Sequence, residues 1–393
     1  MNTTQRLLFT AVLMAISVGM HSYVASRLMA GANLTPRGRR IAWVLALISG
    51  LTLPWVFRLM PLTGVWWADL LQFAGWIFFG VFSLILAFTL LLDLVLLLLR
   101  LVGRISGRDL LPVDPERRRF LRRLLNYGVL GVTALVSGTA FVQARRLAAV
   151  KRVKIAIGDL PEALRGLKIA QISDLHVGPT IRDADMRGVV DIVNSLGADM
   201  VAVTGDLVDG SVDRIADYVA PLGDLQSRHG TFFVTGNHEY FSGAEPWIAH
   251  CKTALGWRVL GNEHTVVEHD GARLVVAGVY DLSAQRFVKE HTSDPAKALA
   301  GAPAADLRIL LAHQPKSILE TEGLGVDLQL SGHTHGGQYF PFTVLLSLAL
   351  RFTTGLQKVG ATWLYINAGT TYWGPPFRLG SAQEITLVEL DRA

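Results

Sequence analysis

At 393 residues the chain has room for more than one domain, and its 51% hydrophobic and 18% charged content, with mean hydropathy +0.37, excludes an ordinary wholly soluble protein. One cysteine, Cys251, excludes an internal disulfide and a metal cage built on thiolates. The formal charge of +5 averages two unlike halves: residues 1–149 carry 16 Arg, no Lys and 5 acids, while residues 150–393 carry the other 21 basic side chains and 27 acids. Arginines set beside apolar runs point to anionic membrane lipid as a partner, and no nucleic-acid partner is expected.

The first half reads as membrane. Four stretches are apolar over about 20 residues, the length that crosses a bilayer. They lie roughly at 7–27, 41–60, 66–100 and 124–144, which makes 1–150 a transmembrane region of about four helices. The third is too long for one straight crossing and too short for two with a turn. A single tilted helix is expected there, with Trp66 and Trp67 at the interface. Asp93 inside it should be buried against a neighbouring helix, and Pro54 should kink the second helix. The connections 1–2 and 3–4 carry 12 Arg; the opposite side carries 7 basic residues, counting Arg6, Arg58 and the stretch from Arg145 to Lys154. The Arg-rich side is normally cytoplasmic. Both termini, and the whole second half, are therefore expected on the outer, periplasmic face of a multi-pass inner (plasma) membrane protein. RRRFLR at 117–122, just ahead of an apolar helix, resembles a twin-arginine export signal and agrees with that direction.

From about residue 151 the pattern changes to short apolar runs that end in polar clusters: LKIAQISDLHV (167–177), MVAVTGDLVDG (200–210), GTFFVTGNHEY (230–240), LRILLAHQP (307–315) and VDLQLSGHTHGGQ (326–338). Each reads as a buried strand running into a loop. Helical patterns lie near 181–195, 213–227 and 243–256, a hairpin in 257–281, and further strands at 362–369 and 382–390. This predicts an α/β domain over 151–393, with layered sheets and helices outside. In such sheets the carboxyl ends of the strands carry the ligand-binding loops, so the clusters should converge. Together they offer carboxylate, amide and imidazole donors without sulfur, a set suited to Mn, Fe, Zn or Ni rather than calcium.

The ordered set Asp174-Leu-His176, Gly205-Asp206, Gly236-Asn237-His238-Glu239, His313 and Gly332-His333-Thr-His335 resembles the calcineurin-like metallophosphoesterase superfamily, over about 167–338. The GHTHGGQ motif and the closing WGPPFRLGSAQEITLVEL look like a bacterial, envelope-associated branch of it. The resemblance implies a sandwich of two central mixed β-sheets flanked by helices, and an enzyme that hydrolyses phosphate esters with two divalent metal ions. It implies that Asp174, His176 and His335 bind one ion, that Asn237, His313 and His333 bind the other, and that Asp206 bridges them. His333 and His335 would thus serve different ions of one pair. His238, not a ligand in that family, would stabilise the transition state or protonate the leaving group. Glu239 receives no role, Arg378 is a candidate for phosphate contact or a structural ion pair, and His229, His250, His264, His269 and His291 are expected at the surface.

The apolar segment YFPFTVLLSLALRFTTGL (339–356) follows the last cluster and is too short to be a fifth crossing. It reads either as an interfacial helix beside the site or as a helix packed on the core. With four anchoring helices, the former favours a lipid phosphodiester, a lipid-linked pyrophosphate or an envelope polymer as substrate. Two other readings stand beside this one. Relatives cleave UDP-2,3-diacylglucosamine in lipid A synthesis, which needs a cytoplasmic domain, and a non-catalytic membrane sensor or scaffold needs no activity at all.

Overall fold

Apolar runs whose backbone groups must all be paired within the segment fold as helices, and the apolar runs before residue 145 do so. The computed structural model describes residues 3–112 and 114–393. Helices α1 (Thr3–Met29), α2 (Pro36–Gly50), α3 (Thr52–Leu59), α4 (Trp66–Ser106) and α5 (Pro115–Ala144) occupy this region. The four candidate spans are Thr10–Met29, Pro36–Leu62, Trp66–Ser106 and Pro115–Ala144. Thr35 caps α2 by accepting the Gly38 N–H at 3.1 Å, with Pro36 at the first helical position. The second crossing breaks at Leu51, because Pro54 has no N–H for the Gly50 carbonyl and its ring crowds it. As expected, α4 is one helix, 41 residues long, and Asp93 is not left alone in it. Its carboxylate pairs with Arg27 and accepts from Tyr23 Oη at 2.6 Å, a local neutralisation that apolar surroundings demand. RRRFLR lies within the single helix α5.

The chain divides into two compact units. One comprises Met1–Leu59 and Leu71–Val142; the other comprises Gln143–Ala393 together with Met60–Leu70. The turn between the second and third crossings therefore belongs with the C-terminal unit rather than with the helices around it. Asp69 explains why. Its carboxylate is 4% exposed, accepts the Gly64 N–H at 2.9 Å and meets Arg182 Nη2 at 2.9 Å, while Arg182 itself is 44% exposed.

Twelve strands build two six-stranded mixed sheets. The strands are β1 (Ala149–Ile157), β2 (Lys168–Ile172), β3 (Met200–Thr204), β4 (Thr231–Val234), β5 (Arg258–Val259), β6 (Glu263–His269), β7 (Ala272–Gly278), β8 (Leu307–Leu311), β9 (Leu328–Ser331), β10 (Gly355–Val359), β11 (Thr362–Ile366) and β12 (Glu384–Arg392). The first sheet runs β1-β12-β2-β3-β4-β5 and the second β10-β11-β9-β8-β7-β6. Side chains alternate along each strand. Ile169, Ala202 and Phe232 of the first sheet meet Leu274, Ile309 and Leu328 of the second between the layers. Their neighbours Ala170, Val201 and Phe233 face Val189 of α6 (Asp183–Ser195), Ile215 of α7 (Val212–Val219) and Trp247 of α9 (Ala244–Thr253). The short α8 (Asn237–Ser242) follows β4 directly, α10 (Pro295–Leu299) covers the second sheet's outer face, and α11 (Phe342–Ala349) follows β9.

Two strands escape the sequence pattern. In β1 the alternation is hidden by Lys151, Arg152 and Lys154, which read as a basic membrane flank. They are strand residues: Lys151 pairs with Glu384 at 3.2 Å and Lys154 with Glu389 at 3.7 Å, across the parallel β1–β12 ladder. β10 is half-exposed along its length and carries no apolar run.

Removing Arg182 strands a buried carboxylate, whereas removing both charges does not. Arg182→Ala should therefore cost about 1–3 kcal/mol of stability, and adding Asp69→Asn should recover part of it, read as the thermal midpoint of the detergent-purified full chain.

Candidate metal centre

The loops leaving β2, β3, β4, β8 and β9 carry all seven expected ligands. Asp174, His176, Asp206, His333 and His335 have φ of +56°, +44°, +52°, +75° and +49°, left-handed backbone that non-glycine residues rarely adopt. Such strain persists only where the surroundings over-determine it, and it clusters at functional sites. Here neighbouring loops hold one another: Asp174 N–H donates to Gly205 O at 3.0 Å, His176 N–H to Asp206 O at 3.1 Å and Gly332 N–H to His313 O at 2.9 Å. Glycine is required where these loops touch. A Cβ at Gly332 would overlap the Asp174 carboxylate, and one at Gly236 would overlap that of Asp206.

Six of the seven fall into two three-residue groups, Asp174 with His176 and His335, and Asp206 with His313 and His333, the donor atoms of each within 4.8 Å of one another. Asp174 Oδ1 lies 3.3 Å from His335 Nε2 and 4.0 Å from His176 Nε2, and the two imidazole nitrogens are 3.0 Å apart. Asp206 Oδ2 lies 3.1 Å from His313 Nε2 and 3.9 Å from His176 Nε2, so it reaches toward both groups. His333 Nδ1 is 3.1 Å from His313 Nε2. The seventh, Asn237, has a buried side-chain oxygen with no hydrogen-bond partner among the described residues. An orphaned acceptor of that kind costs about 1–3 kcal/mol unless something electropositive meets it. Imidazole and carboxylate groups drawn this close together suit divalent cations. The outer nitrogens agree, since His313 Nδ1 faces Thr204 O at 2.7 Å and His176 Nδ1 faces Asp209 at 3.4 Å. Donating outward leaves each Nε2 free to ligate. Thr334, between the paired histidines, turns away and bonds Thr353 O.

His238 sits beside this cluster, its Nε2 4.0 Å from Asp206 Oδ2 and its Nδ1 2.5 Å from Asp209 Oδ1. Burial opposes charge on the ring, but the carboxylates of Asp206 and Asp209 outweigh burial and push its pKa up to about 9. A protonated imidazole at that place can give a proton away.

Four contributors go beyond the sequence reading. Asp209, its side chain 12% exposed, lies between the Nδ1 atoms of His176 and His238 and orients both; the GDLVD spacing at 205–209 was the available signal. Glu239 accepts from the N–H groups of Asp206 (3.0 Å), Leu207 (2.7 Å) and Gly236 (2.6 Å), locking two ligand loops together. Burial, reinforced by the Asp206 charge, lifts its pKa to about 7. Trp373 lies edge-on to His238 with ring centroids 5.3 Å apart. Arg378 makes no ion pair among the described residues. It is buried, donates to the carbonyls of His335 (3.1 Å) and Ala368 (2.8 Å), and meets His335 Nδ1 at 2.8 Å, bracing the turn that carries this ligand.

Of the five histidines expected at the surface, His269 is buried and the other four are part-exposed. His269 meets His229 at 2.9 Å, His264 meets Ala298 O at 2.8 Å, and His291 stacks on Tyr280 with centroids 3.9 Å apart. His250 Nε2 is buried, with its ring edge-on to Trp247.

Residues 167–337 match the calcineurin-like phosphoesterase family. A Danio rerio protein named transmembrane protein with metallophosphoesterase domain is 33% identical over 99% of this chain and 90% of its own. A Bos taurus protein of the same name is 37% identical over 80% of this chain and 72% of its own. An uncharacterized metallophosphoesterase of Helicobacter pylori is 37% identical over 70% of this chain and 73% of its own. The likeness thus extends through the apolar helices, where the sequence motifs offered no family, and it reaches vertebrates as well as bacteria. The chain belongs to the calcineurin-like phosphoesterase family and is a metal-dependent phosphoesterase joined to four helices long and apolar enough to cross a membrane.

Proposed function

We propose that the centre takes two divalent cations, one held by Asp174, His176 and His335, the other by Asn237, His313 and His333, with Asp206 reaching both. The observation that carries this is the meeting of six N/O donors from four strand-end loops, with the unpaired Asn237 oxygen buried at the end of a fifth strand. The donor set suits Mn, Fe, Zn or Ni. Bound there, such ions supply Lewis acidity and an activated water to phosphoryl transfer. The rest falls to the chain. His238 protonates the departing oxygen, Asp209 holds its ring with Nε2 turned to the cluster, and Glu239 keeps the Asp206 loop in place. Cationic groups on one side and a proton donor on the other serve hydrolysis of a phosphate ester.

The substrate we infer is lipid-linked, handled where the membrane meets water. No residue of α11 is buried, and Leu345 and Leu348 are 54% and 81% exposed. The helix follows directly on the ligand turn at His335, through Gln338, whose side chain bonds both backbone groups of Trp373 at 2.8 Å. Trp373 in turn faces His238, and beyond it Phe241 and Phe287 stand exposed with ring centroids 5.4 Å apart. An apolar rim around a charged centre fits a phosphate ester bearing hydrocarbon.

We place the catalytic domain on the outer face. Lys151, Arg152 and Lys154 belong to strand β1 and two of them are paired within the sheet, so the basic count on that side of the membrane falls and the contrast with the 12 Arg sharpens. The turn Met60–Leu70 shares a compact unit with the catalytic residues, as four crossings require.

Four outcomes are expected. Asp206→Asn or His333→Ala should remove both bound metal, measured by elemental analysis, and activity with Mn²⁺. His238→Ala and Asp209→Asn should instead retain metal while losing roughly 10²–10⁴ in rate; full activity in these variants would remove the mechanism. Leu345→Ser with Leu348→Ser should slow hydrolysis of a lipid phosphodiester and spare a small soluble one, and equal losses on both would end the lipid reading. A reporter active only outside the cytoplasm, fused after Ala393, should be active; a silent fusion with an active cytoplasmic counterpart reverses the orientation and favours a cytoplasmic UDP-diacylglucosamine-type substrate.

A further inference from the structure

A cavity of about 570 Å³ lies between the end of α4 and the start of α5, far in sequence from the metal ligands. That volume is within the roughly 300–1,000 Å³ typical of small-molecule sites. Its construction begins with the end of α4. Gly107 takes a left-handed φ of +65°, and Arg108 N–H closes on Gly103 O at 3.0 Å, so the connector folds back along the helix. Gly103 permits this, since a Cβ there would stand 2.7 Å from Arg108 O. Leu110 and Leu111 are thereby returned to the cavity wall, and Arg118 Nε of α5 reaches Pro112 O at 3.4 Å.

The lining combines two chemistries that do not ordinarily share a cavity. Leu99 and Leu125 supply hydrocarbon from the two helices. Arg100, Arg104 and Arg108 recur at every fourth position, and Arg122 approaches from α5. None of these four guanidinium groups has a hydrogen-bond or ion-pair partner among the described residues, and Asp109 is the one acid in the lining. Like charges at this spacing repel on a helix. Charge of this density at the edge of an apolar helix calls for an anion, and a guanidinium fork matches the paired oxygens of phosphate. The leucine walls call for acyl chain. A free phosphate would satisfy only the arginines, and a zwitterionic lipid would bring its own cation into the cluster.

We infer that this cavity is a binding site for one anionic phospholipid, its phosphate held by Arg104, Arg108 and Arg122 and its first methylenes by the leucines. The site is independent of the metal centre. It is tested on the detergent-purified full chain by native mass spectrometry, titrating phosphatidylglycerol, phosphatidylcholine and glycerol 3-phosphate. Wild type should retain one phosphatidylglycerol at least about tenfold more tightly than phosphatidylcholine, a difference of about 1.4 kcal/mol. Arg104→Gln/Arg108→Gln/Arg122→Gln should abolish that preference, while Arg37→Gln/Arg39→Gln/Arg40→Gln, which removes the same charge elsewhere, should keep it. Equal loss in both triple variants would reduce the effect to general electrostatics and overturn the site. So would displacement of the lipid by equimolar glycerol 3-phosphate, which would mark a site for soluble anions. The wild-type preference is itself decisive should a variant fail to fold: its absence overturns the inference.

Discussion

A carboxylate cut off from water must find opposite charge or hydrogen-bond donors close by, and much of this structure's edge is organised around that need at Asp206. Burial alone would raise its pKa, yet the surrounding histidines, His313 and His238 foremost, hold it well below the usual carboxylate range. Its backbone N–H is taken by Glu239, and its Oδ1 accepts the His238 N–H at 2.8 Å. Through these contacts the loops after β3 and β4 of one sheet meet the loops after β8 and β9 of the other. Beneath them, Gln171 Nε2 donates to Thr204 Oγ1 and Ser331 O, both at 2.9 Å, tying the two sheets through the core below the site. The hydrophobic interior brings the sheets face to face without direction; these polar contacts set their edges in register.

Around that anchor the two sides of the centre differ. One side is imidazole, carboxylate and amide, closed by Arg378 behind His335. The other side is aromatic, with Trp373 and Phe241 against the His238 ring at 5.3 and 5.1 Å. On the reading proposed above, His238 stands where charge gives way to apolar surface, which suits a substrate with a phosphate at one end and hydrocarbon at the other. Exposed leucines on α11 continue the apolar side. The turn at Met60–Leu70, between two apolar helices, adds its own fixed contact through Asp69 and Arg182.

The membrane helices show the same economy with charge. Asp93 is offset by Arg27 and Tyr23 inside its unit, whereas the arginines at the end of α4 have no such offset and stay in a cluster. Charge within the apolar span was paired where a partner helix was near; at the edge of the apolar region it was left for something outside the chain.

The alternating α/β pattern, the carboxyl-end position of the polar clusters and the donor types they offer were readable from residues 167–338, because period, glycine spacing and donor type are local properties. Strand β1 was not, since lysines paired with Glu384 and Glu389 look from the sequence like any basic flank. Nor were the roles of Asp209, Glu239 and Arg378 readable. Each acts on a partner that the chain brings near only by folding: Asp209 on His176, 33 residues away, Glu239 on Asp206, also 33 away, and Arg378 on His335, 43 away. Sequence by itself determined which atoms could bind metal, because ligand chemistry belongs to the side chain. Tertiary structure alone decided which of them come within reach of one another and which residues hold them still, because those are properties of distance.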